Sequence, residues 1–249
     1  MSATGFKDHF STQAAGYARA RPTYPPALFA ALAGLAPGRA LAWDCGTGNG
    51  QAALGLAEHF GRVVATEPSA EQLSRAVAHP RVTYVQSAEL ASGVADGAAD
   101  LVAAAQAAHW FDLGVFYAEV RRVLRPGGVI AIWNYARCTV EPGVDALIER
   151  FYSETVGAYW PPERRHAETS YRFMEFPFAE LEFPRLSIEV VWTAAGFADY
   201  LRTWSAVARY LKAHGDDPVA VLEPELAAAW GSGLRPVVWP LGGRLGRAG

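Results

Sequence analysis

From about residue 40 to residue 135, apolar runs of strand length alternate with longer segments whose apolar positions recur at helical spacing. That alternation predicts consecutive strand-helix units around a parallel sheet. Strands are expected at "RALAWD" (39–44), "RVVAT" (62–66), "RVTYVQ" (81–86), "ADLVAAA" (99–105) and "GVIAIWNY" (128–135). All are β-branched or continuously apolar, as strands covered on both faces are. Between them, Ser69 with Gln72 three residues on reads as a capping box, and Asp112 reads as the cap of the next helix. Phe116, Val120, Val123 and Leu124 form one apolar face of that helix. Arg121, Arg122 and Arg125 complement its C-terminal dipole, and Arg125-Pro126-Gly127-Gly128 ends it. After residue 136 the pattern becomes aromatic- and proline-rich, which predicts a cover over a site. A strand "LSIEVVWT" (186–193), helical stretches at 195–213 and 218–230, and a last strand within "RPVVWPLGGRL" (235–245) follow.

Composition narrows the partners. The chain has 249 residues, 51% of them hydrophobic, enough for a substantial core. A formal charge of -3, with no basic tract or tail, gives no electrostatic reason to expect nucleic acid or an anionic membrane, and a small-molecule partner is favoured. The N-terminus lacks an apolar core of signal-peptide length and no later run approaches a membrane span, so a cytoplasmic location is expected. Cys45 and Cys138 are too isolated for a disulfide framework, and the scattered histidines show no spacing suited to a metal.

The chemistry begins at "DCGTGNG", Asp44 to Gly50, between the first predicted strand and a helix starting near Gln51. Glycines there let backbone approach a ligand, and the helix that follows offers unpaired amides. A dinucleotide fingerprint would want its third glycine where Gln51 stands, which argues against an NAD-linked oxidoreductase. Glu67 ends the second strand about twenty residues on, where a carboxylate can accept from both hydroxyls of a ribose.

With those residues in place, the sequence resembles the class I S-adenosylmethionine-dependent methyltransferases, whose first motif is an acidic residue followed by Gly-x-Gly-x-Gly. A narrower similarity, through "YARARPTYP", "AAHWFD", "RTWSAVARY" and the final "VVWPL", is to the small-molecule branch containing trans-aconitate methyltransferase-like proteins. The resemblance implies a Rossmann-like, doubly wound, seven-stranded α/β sheet, mostly parallel with an antiparallel last strand. The whole chain, 1–249, would form one methyltransferase domain with a core at 38–135, an N-terminal cover at 1–37, and a cap and C-terminal strands at 136–249. S-adenosylmethionine would be held by Asp44, Gly46, Thr47, Gly48 and Gly50, by Glu67 and Pro68, by Ser87, Ala88 and Glu89 beside the adenine, and by Gln106 and Ala107 at the methionine end. Tyr17 and Arg21 would reach the cofactor carboxylate from the N-terminal cover, or else belong to a surface helix.

The stretch "QAAHWFD", Gln106 to Asp112, stands at the same expected sheet edge. His109 is the candidate catalytic residue, either a wall of the methyl-transfer pocket or a proton acceptor. Trp110, Trp133, Tyr135 and Trp204 are candidates for the substrate side, with packing the alternative for each. Arg164, Arg165 and Arg202 are candidates for binding an acidic substrate. The function so implied is in-line methyl transfer to a small molecule at oxygen, a carboxyl group included, or at nitrogen, by a monomer or homodimer. The competing reading is a non-catalytic protein that binds the cofactor.

Overall fold

A computed structural model describes residues 22–87, 92–135 and 137–249. Its central sheet runs β3-β2-β1-β4-β5-β8-β6, with a further strand, β7, paired to β8. The strands are β1 (Leu41–Cys45), β2 (Arg62–Glu67), β3 (Val82–Gln86), β4 (Ala99–Ala105), β5 (Leu124–Tyr135), β6 (Ala179–Leu181), β7 (Ser187–Trp192) and β8 (Arg235–Arg247). The first five are parallel, and β8 returns antiparallel to β5. This is the expected Rossmann-like α/β fold, with one strand more than the seven of the main path. One long β8 allows the addition: its Arg235–Pro240 half pairs with β7, and Leu241–Arg247 pairs with β5.

The helices are α1 (Pro26–Leu35), α2 (Gln51–Ala57), α3 (Ala70–Leu73), α4 (Leu113–Val123), α5 (Pro142–Arg150), α6 (Arg164–Glu168), α7 (Ala194–Arg202), α8 (Ser205–His214) and α9 (Pro218–Trp230). Cores form on both faces of the sheet. Ala42, Val63, Ala65, Leu101 and Ala103 pack on one side with Leu28, Leu32, Leu56 and Phe60. Trp43, Val64, Val102, Ile130 and Ile132 pack on the other with Phe116, Val120 and Val123. Alternate residues of one strand therefore face two dry layers, which is why the strands read as unbroken apolar runs.

Local signals set the element ends. Ser69 accepts the Gln72 amide at 3.2 Å, and Asp112 accepts the Val115 amide at 3.2 Å, so both caps form as expected. The Ser69 amide donates instead to Glu67, replacing the reciprocal half of the box. The expected stop at Arg125–Gly128 lies within a bulge of β5: Ala99 faces Leu124 and Leu101 faces Val129, so the intervening residues loop out, with Gly127 at φ 73°. The single helical stretch expected over 195–213 is two helices. Trp204 adopts an extended backbone (φ -69°, ψ 134°) between α7 and α8, which lets its ring enter the cover. β6 has no counterpart in the expectations, being three residues long and largely exposed.

The buried Asp100 ties this frame together. Its carboxylate accepts from the amides of Ala40 and Leu41 at 2.7 and 2.9 Å and pairs with Arg125 at 3.0 Å, linking β1, β4 and the start of β5. α5 continues into a wider π-helical turn, Phe151–Thr155, closed by the Val156 amide on the Phe151 carbonyl at 3.0 Å. No helix among the described residues is long and apolar enough to cross a membrane.

Candidate active site

Parallel strands β1, β2, β3, β4 and β5 all end on one edge, and the sequence places its chemistry in the turns that follow them. After β1, Gly46, Gly48 and Gly50 have φ of 69°, 58° and 90°, a left-handed path that side chains resist. Gly46 and Gly48 do different things. A Cβ on Gly46 would stand 2.6 Å from the Ala107 Cβ, so this glycine lets the end of β4 close on the turn. A Cβ on Gly48 would meet nothing within 4 Å. That open space lies beside an amide that donates to Glu67 Oε2 at 3.0 Å, while the Ser69 amide donates to Oε1 at 3.1 Å. The Glu67 carboxylate is thus oriented by backbone from both sides of the edge.

Asp44 is fully buried on β1, in register with Ala65 of β2 and Ala103 of β4. The Thr47 hydroxyl donates to its Oδ2 at 2.5 Å, and its Oδ1 is sealed without a hydrogen-bond partner. Burial drives its pKa up to about 7; the Thr47 hydroxyl and the Ala53 amide oppose this, and the Glu67 charge adds to it.

The remaining expected cofactor residues fall on the same edge or outside the described residues. The Ser87 amide donates to the Glu67 carbonyl at 3.1 Å, and the Pro68 carbonyl accepts from Gln86 at 3.1 Å. Gln106 has a left-handed backbone, φ 57°, and donates its amide to the Trp133 carbonyl at 2.8 Å. Tyr17, Arg21, Ala88 and Glu89 lie outside the described residues.

His109 and Trp110 sit on a short 3-10 turn, Ala108–Trp110, with ring centroids 4.7 Å apart, both half-buried. His109 Nδ1 lies 3.0 Å from the hydroxyl of Tyr171, a fully buried residue 62 positions on. Burial, then the charges of Arg164 and His166, push His109 down to about 3, so its ring is neutral at physiological pH. Tyr171 was not among the expected site residues, and nothing in its local pattern marks it.

Other candidates belong to the packing. Trp133 is fully buried, edge-on to Tyr24 at 5.7 Å and to Phe29 at 6.5 Å, so its expected place at the substrate gives way to the core. Tyr135 and Trp204 keep only 8% and 7% of their surface; Trp204 packs among Phe151, Tyr152, Trp160 and Tyr200. Arg202 is engaged by Asp217 at 2.8 Å, Glu223 at 2.9 Å and Asp199 at 3.3 Å, an internal ion cluster that replaces its expected substrate role. Arg164 and Arg165, by contrast, line a cavity of about 770 Å³ with Arg137, Tyr152, Trp160 and Pro161. The Arg164 guanidinium lies over the Trp160 ring at 4.8 Å, and its helix, α6, packs on the turn that carries His109.

An acidic residue and left-handed glycines after β1, a backbone-held carboxylate ending β2, and a β3-β2-β1-β4-β5 parallel core define a Rossmann-like cofactor-binding domain. Residues 43–132 match the family model described as a methyltransferase domain. A Dictyostelium discoideum protein assigned as a methyltransferase is 34% identical over 231 residues, covering 91% of this chain and 88% of its own. A Mycobacterium tuberculosis protein named as an uncharacterized methyltransferase is 38% identical over 128 residues, about half of each chain. Among solved structures, one described as a type II methyltransferase from Anaeromyxobacter dehalogenans is 48% identical, with a TM-score of 0.86 over 91% of this chain and 97% of that one. A phosphoethanolamine N-methyltransferase from Haemonchus contortus, solved with S-adenosylhomocysteine, shares the fold alone: 16% identity and a TM-score of 0.50, over 99% of this chain and 60% of that one.

This chain belongs to the class I S-adenosylmethionine-dependent methyltransferases, the family whose cofactor is S-adenosylmethionine. The residues present fit that molecule. The open space at Gly48, the oriented Glu67 carboxylate and the unpartnered Asp44 Oδ1 are gathered on one edge, with acceptors suited to hydroxyls and to positive charge.

Proposed function

We propose that this protein methylates a small-molecule acceptor at oxygen, a carboxyl group included, or at nitrogen. The observation that carries the reading is the cavity beside α6. Its volume of about 770 Å³ suits a small ligand, and aromatic and cationic groups, Tyr152, Trp160, Arg137, Arg164 and Arg165, line it. Glu149 and Glu168 also reach it, and they are held by Arg137 and by the Tyr152 hydroxyl. An oxygen acid is the acceptor such a lining suits best, because guanidinium groups pair with carboxylates in two-point geometry.

The cofactor supplies an electrophilic methyl group on a sulfonium. Asp44, the glycine turn and Glu67 would bind and orient it, the cover would exclude water, and His109 with Trp110 would flank the approach of the acceptor. The chain works as a monomer or homodimer in the cytoplasm, on neither nucleic acid nor membrane; its net charge of -3 supports only the exclusion of nucleic acid and anionic membrane.

The test is S-adenosylhomocysteine release from S-adenosylmethionine in the presence of pools of small carboxylic acids, phenols, alcohols and amines, with DNA and RNA as further substrates. Release driven by a small molecule, with the methylated product identified by mass, is the expected result. Cofactor binding without turnover on any pool would favour the non-catalytic reading, and turnover on nucleic acid alone would overturn the proposal.

A further inference from the structure

We propose that Tyr171 fixes His109 in the tautomer with its proton on Nε2, so that His109 meets the acceptor as a hydrogen-bond donor and not as a base. The inference rests on the methyl-transfer reading only for the identity of what His109 meets; the tautomer follows from the protein's own contacts.

The argument starts from the Tyr171 hydroxyl. Tyr171 is fully buried, and its hydroxyl has one hydrogen-bond partner among the described residues, His109 Nδ1 at 3.0 Å. Burial raises the phenol well above its ordinary pKa, so the oxygen keeps its proton and must place it on an acceptor. The charged neighbour it shares with His109, Arg164, offers donors only. Tyr117, also nearby, gives its own hydroxyl to the Glu175 carbonyl at 2.7 Å. Were Nδ1 protonated, the Tyr171 proton would be a buried donor with no acceptor among the described residues. With Nδ1 accepting, the Tyr171 hydroxyl is satisfied, and the single proton of the neutral ring stands on Nε2.

The backbone holds this contact in place. Ser170 and Tyr171 both have left-handed φ, 51° and 62°, a conformation that persists in non-glycine residues only where surroundings enforce it. Gly242 of β8 provides the room, since a Cβ there would run into the Ser170 hydroxyl. The Tyr171 amide in turn donates to the His166 carbonyl at 2.8 Å, anchoring the pair to the end of α6.

Tyr171 is therefore a positioning residue, and the Nε2 edge of His109, which makes no hydrogen bond with a described residue, offers a donor. A donor there can hold an acceptor oxygen in line but cannot remove its proton. The favoured acceptor is accordingly one whose reacting group is ionised before it arrives. For such an acceptor, methylation would leave no proton to place, and His109 would need only to hold and orient the ionised group.

The tautomer is read directly by a long-range proton-nitrogen NMR correlation on the full chain with nitrogen-15 histidine, His109 being assigned by its loss in His109→Gln. An unprotonated ring nitrogen resonates far downfield of a protonated one. The expected spectrum has Nδ1 downfield and Nε2 upfield, unchanged between about pH 5 and about pH 8. A downfield Nε2, two upfield nitrogens, or two averaged ones would each overturn the proposal. In folded Tyr171→Phe the two nitrogens should average; an unaltered pattern would remove Tyr171 from its role. Should that variant not fold, the wild-type spectrum still decides the tautomer. No cofactor or acceptor is present, so failure here is distinct from failure to find methyl transfer.

Discussion

Asp44 carries a charge question that a titration of stability can answer. An ordinary aspartate releases its proton near 3.8, whereas burial on β1 holds this one to about 7. The folded protein therefore keeps a proton that the unfolded chain has lost throughout that interval. Stability from this group is fully present below 3.8, falls as pH rises through the interval, and is flat above about 7. One pH unit is worth about 1.36 kcal/mol, so the interval from 3.8 to about 7 is a loss of about 4 kcal/mol from its lower to its upper limit. Asp44→Asn keeps the shape and an acceptor for Thr47 but cannot ionise. Urea unfolding of the cofactor-free protein and of Asp44→Asn, repeated across the interval, isolates the group: the wild-type stability minus that of the variant should fall by about 4 kcal/mol with rising pH. A difference constant to within about 1 kcal/mol would refute a buried, proton-holding Asp44.

Other substitutions test the edge and the frame separately. Glu67→Ala removes the carboxylate that the Gly48 and Ser69 amides orient, and loss of its two charge-assisted bonds to the ribose hydroxyls should weaken S-adenosylmethionine binding about 100-fold by calorimetry. Gly48→Ala meets no neighbour and should cost only about 1 kcal/mol of stability, from its left-handed φ, yet its methyl fills the open space and should abolish cofactor binding. Gly46→Ala should instead destabilise by about 2 kcal/mol or more, its methyl colliding with Ala107 and Phe111; Ala107→Gly in the same chain should recover only the Ala107 part of the collision, seen in urea midpoints. Asp100→Ala leaves two amides and Arg125 without their acceptor and should lower stability by about 3 kcal/mol, while the folded variant binds cofactor normally.

The contrast between Glu67 and Tyr171 explains what the chain disclosed in advance. Asp44, the glycines and Glu67 lie at positions fixed by strand ends, and strand ends can be counted along a sequence. Tyr171 acts on a histidine 62 residues away through a cover whose path has no repeating period, so only the folded chain joins them. The sequence leaves Trp133 open between substrate side and core for a related reason. In a parallel strand covered on both faces, alternation carries no inward or outward signal, and Ile132 and Trp133 are equally buried on opposite sides. Trp204 shows the same limit within the cover, where aromatic residues bury one another before any can face a ligand. The β5 bulge was legible as a stop but not as a strand, because its Pro-Gly-Gly residues loop out between paired neighbours.

Burial acts on Asp44 and His109 in opposite pKa directions and to one end, since both are driven to their neutral forms. The histidine is held to about 3 and stays neutral across the range in which the aspartate titrates, so between about 5 and about 8 only Asp44 of the two changes charge. S-adenosylmethionine bears a sulfonium and an ammonium, and a ligand with positive charge binds more tightly when the carboxylate beside it is ionised. Affinity should therefore rise with pH up to about 7 and then level off. Calorimetry should show this rise together with a proton released on binding at the lower end of the range. In Asp44→Asn both should vanish, while a rise that survives the substitution would assign the titration to another group and remove Asp44 from charge recognition.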